Sequence, residues 1–180
     1  CALLTAIHDL YTVYQQIMVY DVRGRVVAVS QRGRPDAAVR GLLGTYIEMD
    51  SLHQVLALGG TQAYHVSPWR PCVQHEDDGA TYVYHAAIRN ADGVVLGGIG
   101  LVFHAQREFK AMLEGVTGAQ AAGAGSRQVA YLNRSGLVMS SSDVQLQPGM
   151  QLDLPPQMLA VAPGQSMARA MVYQGQYCVV

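Results

Sequence analysis

The segment from Tyr64 to Asp78 contains the residue types best suited to binding chemistry. It brings together Tyr64, His65, Trp69, Arg70, Asp77 and further acidic residues within a short stretch. A binding pocket needs apolar walls and a few polar groups that fix the orientation of the ligand. Trp69 would stack on a flat ligand, Arg70 would hold a carboxylate through two hydrogen bonds, and Asp77 would accept from an amine. The alternative is that Trp69 packs a corner of the fold while the acidic run forms a solvated loop.

Two tyrosines follow this segment on a predicted strand. Because side chains alternate along a strand, Tyr82 and Tyr84 share one face, and Val83 and His85 share the other. If the tyrosine face looks into a pocket, both hydroxyls become ligand contacts. The alternative is that both are core residues whose hydroxyls bond within the protein.

A metal site is considered and set aside. Cys72-x-x-His75 has a ligand-like spacing, with His65 and His85 nearby in the sequence. A structural zinc site, however, normally uses two paired ligand motifs, and only one is present. We therefore interpret these side chains as surface or packing residues and expect no metal and no cofactor.

The sequence gives little support for a catalytic motif. The sequence has no Gly-x-Ser-x-Gly motif. The glycines of 96–100 lie within a predicted strand and lack the Lys-Ser/Thr of a phosphate loop. We therefore expect them to permit strand bending and close packing against a helix or a ligand. We expect no enzymatic activity.

Composition narrows the class of protein. The chain has 180 residues, is half apolar and 14% charged, and carries a net charge of −1 with scattered basic residues. This favours a globular fold and argues against a nucleic-acid or anionic-membrane surface. The three cysteines are far apart, which favours free thiols and leans towards a reducing compartment. The first residues already belong to an apolar-periodic stretch, so we expect a fragment of a longer protein, with any membrane anchor outside it.

One pattern, an apolar run followed by Asx-x-x-Gly and a second apolar run, occurs three times and predicts three β-hairpins. The turns are 21–24, 90–93 and 133–136. The Asx side chain bonds the backbone ahead of it, and glycine accepts the positive φ of the reversal.

Apolar residues spaced three and four apart predict helices between the hairpins. These fall at 3–14, 37–47, 52–58 and 106–115, with a short helix at 156–162. The Gly/Ala-rich stretch 115–126 is interpreted as a hinge. The predicted fold is α+β, with an N-terminal helix and two units in tandem, 1–116 and 117–180. Each unit is expected to be an antiparallel sheet covered by helices.

The stretch from Tyr20 to Ser30, and 131–142 in the second unit, resemble the opening hairpin of the double-Cache sensor family, which implies that both units are PAS-like. Ser67-Pro68, an acidic loop, 82–89, Asp92-Gly93 and 97–103 resemble its closing hairpin. The family's amino-acid-binding members carry Arg-x-Trp-Tyr, whereas this chain has Trp69-Arg70-Pro71, so amino-acid recognition is not supported.

The resemblance implies a small-molecule sensor of a chemoreceptor, histidine kinase or cyclic-dinucleotide enzyme. The ligand would lie in the first unit, near 64–84, and binding would bias the second unit through 106–126. The resemblance implies the extracytoplasmic side of a bacterial inner membrane, whereas the free cysteines favour the cytoplasm. A homodimer is left open. The alternatives are a cytosolic GAF/PAS-type regulatory region and a scaffold or dimerisation module without a ligand.

Overall fold

The computed structural model describes residues 2–33, 36–72, 75–118, 128–162, 164–173 and 176–179. Its elements are, in chain order, α1 (Ala2–Leu10), β1 (Tyr14–Asp21), β2 (Val26–Gln31), α2 (Asp36–Gly41), α3 (Met49–Leu56), β3 (Tyr64–Val66), β4 (Arg70–Cys72), β5 (His75–Thr81), β6 (Val83–Arg89), β7 (Val95–Phe103), α4 (Ala105–Gly118), β8 (Ala130–Leu132), β9 (Val138–Ser141), α5 (Pro156–Leu159), β10 (Ala170–Tyr173) and β11 (Gln176–Val179). The chain divides into two compact units, 1–108 and 109–180.

The first unit is built on a five-stranded sheet in the order β2-β1-β7-β6-β3, with antiparallel pairing throughout. Its core packs residues of α3 and the preceding loop, such as Ile47 and Leu52, against Met18, Tyr20 and Val102 of the sheet. The predicted α+β class with an antiparallel sheet is therefore confirmed.

The three predicted hairpins are present, and all use the same turn chemistry. In the first, Asp21 Oδ1 accepts from the backbone N–H groups of Arg23 at 2.8 Å and Arg25 at 3.0 Å. Asn90 and Asn133 accept from the equivalent positions of their own turns. The glycine that ends each turn has a φ of 80–83°, which a residue with a Cβ rarely adopts.

Four predicted helices run past the observed ends. Those predicted at 52–58 and 156–162 end at Leu56 and Leu159, and the other two are much too long. The helix predicted at 3–14 ends at Leu10, because Tyr14 already pairs with Phe103 in the sheet. The helix predicted at 37–47 ends at Gly41. The chain then pairs with the first hairpin, where Val26 N–H donates to the Thr45 carbonyl at 2.8 Å and Ile47 N–H donates to the Gly24 carbonyl at 2.9 Å. Sheet hydrogen bonds have replaced the helix that the apolar spacing indicated.

The acidic loop is also a wrong prediction. Residues 75–81 form β5, which pairs with β4 so that Arg70 lies opposite Thr81 and Pro71 opposite Ala80. Acidic residues have low strand propensity, so the composition of this segment indicated a loop. The segment instead forms a two-stranded ribbon, in which the backbone groups of β4 and β5 are hydrogen-bonded to each other.

The second unit contains the hairpin β8–β9, the short helix α5 and the hairpin β10–β11. The helix predicted at 106–115 extends to Gly118, and the rest of the predicted hinge, 119–127, lies outside the described residues. The PAS-like character of this unit stays a prediction. In the part of the chain that the structure describes, no helix combines the length and apolar character needed to span a membrane.

Candidate functional site

The register of the five-stranded sheet defines two faces. One face packs against α3 and the loop before it, and we call it the helix-covered face. It carries Gln16, Met18 and Tyr20 of β1. The opposite face carries Ile17 and Ser30, and it meets α1 through a 3.1 Å hydrogen bond between His8 Nδ1 and Ser30 Oγ. Because alternate residues face opposite ways, the candidate site residues divide between these faces.

The helix-covered face holds a buried polar cluster made of Tyr20, His85 and His65. The Tyr20 hydroxyl is hydrogen-bonded to His85 Nδ1 at 3.0 Å, and the ring of His65 stacks on that of His85 with centroids 6.0 Å apart. Burial, with a smaller contribution from the His65 charge, lowers the pKa of His85 to about 4. Burial also raises the pKa of Tyr20 well above its usual value. At neutral pH the pair is therefore an uncharged phenol and an uncharged imidazole.

Two glycines of β7 make room for this cluster. A Cβ at Gly98 would lie 2.5 Å from the Tyr20 hydroxyl oxygen, and a Cβ at Gly100 would lie 3.3 Å from His85 Cε1. The glycines thus permit close packing, as predicted, but the groups that approach them are side chains of the neighbouring strands β1 and β6 and not a helix or a ligand.

Several polar groups at one end of the sheet are buried and have no hydrogen-bond partner among the described residues. Both amide atoms of Gln16 belong to this set, as do Arg70 Nε and His104 Nδ1. Val102 of β7 is the common reference point, because Gln16 of β1 and Val83 of β6 both lie opposite it. His104 comes two residues after Val102 in the chain. Arg70 lies opposite Thr81, which comes two residues before Val83. Pairing therefore brings three unsatisfied polar groups to the same end of the sheet.

Arg70, predicted to clamp a ligand carboxylate, is hydrogen-bonded through Nη2 to the Glu48 carboxylate. Glu48 immediately precedes α3, so the ion pair links the β4–β5 ribbon to the helix-covered face. Both side chains are about one-third exposed. The positive charge of Arg70 is thus already compensated within the chain, while its Nε–H remains without a partner.

The predicted aromatic residues lie mainly on the opposite face. Tyr84 packs edge-on to Phe103 and tilts against Tyr64, with centroids 6.4 Å apart in each case. Trp69 packs edge-on to Tyr82 at 5.0 Å. Burial raises the pKa of Tyr82 and of Tyr84. Tyr64 is 65% exposed, so its ring is mostly in solvent.

The structure therefore does not bring all the predicted site residues together. His65 lies on the helix-covered face, Tyr64 and Tyr84 lie on the other, and Trp69 is paired with Tyr82. Asp77 belongs to β5, and its side chain, like those of Cys72 and His75, lies outside the described part of the structure. Among the described residues, no three His, Cys, Asp or Glu side chains are grouped as metal ligands.

Sequence reasoning missed Gln16, Tyr20 and His104 as candidates. A signal existed for Gln16, because in 16–20 it takes the same face as Met18 and Tyr20 and is the polar member of that set. His104 gives no such signal, since it lies just beyond its strand.

No family model and no curated protein matches this sequence. Solved structures do match its fold. An extracellular ligand-binding receptor from Desulfohalobium retbaense superposes with a TM-score of 0.65 at 14% identity, over 97% of this chain and 28% of the receptor. The extracellular domain of the histidine kinase rpHK1S-Z16 gives a TM-score of 0.62 at 11% identity, over 99% of this chain and 68% of that domain.

A second histidine-kinase domain, the extracellular domain of vpHK1S-Z8, gives a TM-score of 0.54 at 12% identity over 79% of this chain and 50% of that one. This chain spans little more than a quarter of the receptor and about two-thirds of the rpHK1S-Z16 domain. At such identities the likeness concerns the fold. The chain shares the fold of these extracellular domains of a receptor and of histidine kinases, which agrees with the sequence resemblance.

Proposed function

We propose that this chain is the ligand-sensing region of a bacterial-type signal-transduction protein and that it binds a small molecule in its first unit. The observation that carries the proposal is the group of unsatisfied polar atoms on Gln16, Arg70 and His104 at one end of the sheet. Buried polar groups in native proteins are nearly always hydrogen-bonded, so a group of exceptions calls for a missing partner. The fold shared with extracellular sensor domains supports a ligand as that partner.

Signalling requires that the ligand has different affinities for two arrangements of the chain. The Arg70–Glu48 ion pair joins the β4–β5 ribbon to the start of α3, so a ligand beside Arg70 would alter the balance between a closed and an open ribbon. We propose that α4, where the first unit ends, carries this bias onwards.

We also propose an extracytoplasmic location and an output domain in the remainder of the full protein. The neighbouring structures are described as extracellular domains, two of them from histidine kinases, and this supports both parts of the proposal. Fusions of a topology reporter to the full-length protein would test the location. A cytoplasmic signal next to this region would overturn it in favour of a cytosolic regulatory module.

A thermal-shift screen against organic acids, amines, amides, amino acids and nucleobases tests ligand binding. A ligand at about a hundredfold its Kd stabilises the folded state by roughly 2.7 kcal/mol, which corresponds to about 5–10 °C for a chain of this size. The response should weaken in Arg70→Ala and persist in Arg134→Ala, which removes an exposed arginine of the second unit. A hit unchanged by Arg70→Ala would place the ligand elsewhere, and a flat screen would favour the scaffold alternative.

A further inference from the structure

Gln16 is the most deeply buried of the unsatisfied groups. Its side chain is 0% exposed, and neither its amide oxygen nor its amide nitrogen has a hydrogen-bond partner. An amide buried in this way destabilises the fold, because it has given up its bonds to water and gained none in exchange. An apolar side chain of similar size at this position would make a more stable protein.

Gln31 of β2 lies directly opposite Gln16, yet no hydrogen bond joins the two amides. Two hydroxyl side chains at the same end of the sheet are satisfied within the chain. Ser67 Oγ accepts from Val83 N–H at 2.9 Å, and Thr81 Oγ1 donates to the Phe103 carbonyl at 2.6 Å. The environment therefore satisfies short hydroxyls from within the chain and leaves the longer amide of Gln16 unsatisfied. Such a contrast is expected where a group is kept for a partner that binds from outside.

The charges around this end of the sheet restrict what that partner can be. The Arg70 guanidinium is paired with Glu48, and the pKa of His85 lies far below neutral. A ligand charge would therefore meet no uncompensated opposite charge on Arg70 or on His85. Burying an unpaired charge is costly, whereas an uncharged ligand avoids that cost.

The hydrogen-bonding capacity of the unsatisfied groups narrows the class further. A glutamine amide offers a carbonyl acceptor next to an NH2 donor, and Arg70 Nε–H offers one more donor. The complement of an amide is another amide, which donates through N–H and accepts through C=O side by side. We propose that Gln16 is a ligand-recognition residue and that the ligand is an uncharged molecule with adjacent C=O and N–H groups: a carboxamide, lactam or ureide. This inference rests on the proposed function and specifies the ligand class of that site.

The ligand-free protein provides the first test. Gln16→Met keeps the volume of the side chain and removes its amide, so the melting temperature should rise by about 2–10 °C. Gln54→Met makes the same change at an exposed position of α3 and should shift it by no more than about 1 °C. Melting should be followed by the fluorescence of Trp69, the single tryptophan, which lies in the first unit. A fall in melting temperature for Gln16→Met would overturn the inference, because it would mean that the amide is already satisfied.

The second test uses matched probes in calorimetric titrations of the same proteins. Nicotinamide, 2-pyrrolidinone and hydantoin represent the uncharged class, while nicotinate and 3-(aminomethyl)pyridine keep the ring of nicotinamide but carry a negative or a positive charge. We expect binding of at least one uncharged probe, with affinity reduced about tenfold or more in Gln16→Met and unchanged in Gln54→Met.

The outcomes separate the inference from the proposed function. Binding of a charged probe alone would overturn the inference while supporting a ligand-sensing role, as would an uncharged probe whose affinity is the same in Gln16→Met. If no probe binds, the inference is overturned, and the broader thermal-shift screen alone decides the proposed function.

Discussion

Replacing Gly98 by alanine should be among the most damaging small changes in the first unit. The new Cβ would lie 2.5–2.7 Å from the Tyr20 hydroxyl oxygen, Cζ and Cε2, although carbon contacts prefer about 3.5–4.0 Å. Tyr20 is 1% exposed, so its ring is enclosed by the protein and would have to displace neighbouring groups in order to move. Overpacking of this kind costs about 1–3 kcal/mol. Displacing the ring would also break the bond to His85, leaving two buried polar groups unsatisfied at a further 1–3 kcal/mol or so.

The expected loss is thus about 2–6 kcal/mol, a large part of a typical domain's stability. Urea denaturation monitored by Trp69 fluorescence measures it in the unit concerned. In a Tyr20→Leu background the obstructing phenol is gone, so Gly98→Ala should cost less than about 1 kcal/mol, and the double-mutant cycle should report the difference as coupling.

Gly41→Ala is the matched control, because a Cβ at Gly41 would meet nothing within 4 Å. It should leave stability unchanged or raise it by about 0.5–1 kcal/mol. A Gly98→Ala protein within about 0.5 kcal/mol of wild type, or one equally destabilised with and without the Tyr20 phenol, would refute this account of the packing.

Two further changes test the electrostatics and the turn chemistry. Because the folded-state pKa of His85 is about 4 and the unfolded value about 6.5, the unfolded chain binds the extra proton as pH falls between them. The free energy of unfolding that His85 contributes, about 3 kcal/mol, should therefore be present above pH 6.5 and lost towards pH 4. His85→Gln should make the free energy of unfolding less dependent on pH in this range. The same pH dependence in both proteins would contradict the assignment. Asn133→Ala removes the acceptor for Ser135 N–H and Leu137 N–H, so amide exchange in β8–β9 should accelerate about fivefold, with no change in the hairpin at Asn90.

Local signals predicted the parts of the fold that local chemistry determines. Asp21, Asn90 and Asn133 each accept the turn hydrogen bonds expected of an Asx-x-x-Gly reversal. Where distant segments compete for the same backbone groups, prediction was poorer. The helix predicted through 47 ends at Gly41, because pairing with Gly24 and Val26 satisfies that backbone instead. Nothing in residues 37–47 themselves contains that information.

The candidate site was predicted as a region and missed in its details for a related reason. The segment 64–78 was predicted to bind a ligand because it is rich in aromatic and charged residues. In the structure, its aromatic residues lie on two different faces of the sheet. Register is a long-range property, and a shift of one residue moves every side chain to the other face. Alternation alone correctly placed Tyr84 and His85 on opposite faces, but only the register shows that His85 shares its face with Gln16.

Some buried polar groups on the helix-covered face are hydrogen-bonded to each other, and the amide of Gln16 is not. Around Tyr20 and His85, glycines remove side-chain volume so that two neutral groups bond each other at 3.0 Å. At Gln16, in the same strand, an amide of similar polarity is left unsatisfied at 0% exposure. A sheet that can satisfy one buried pair this closely has no general packing reason to leave another group unpaired four residues away. The difference is understandable if Tyr20 and His85 maintain the fold while the amide of Gln16 is reserved for a ligand, and Gln16→Met is the substitution in which stability and binding should then change in opposite directions.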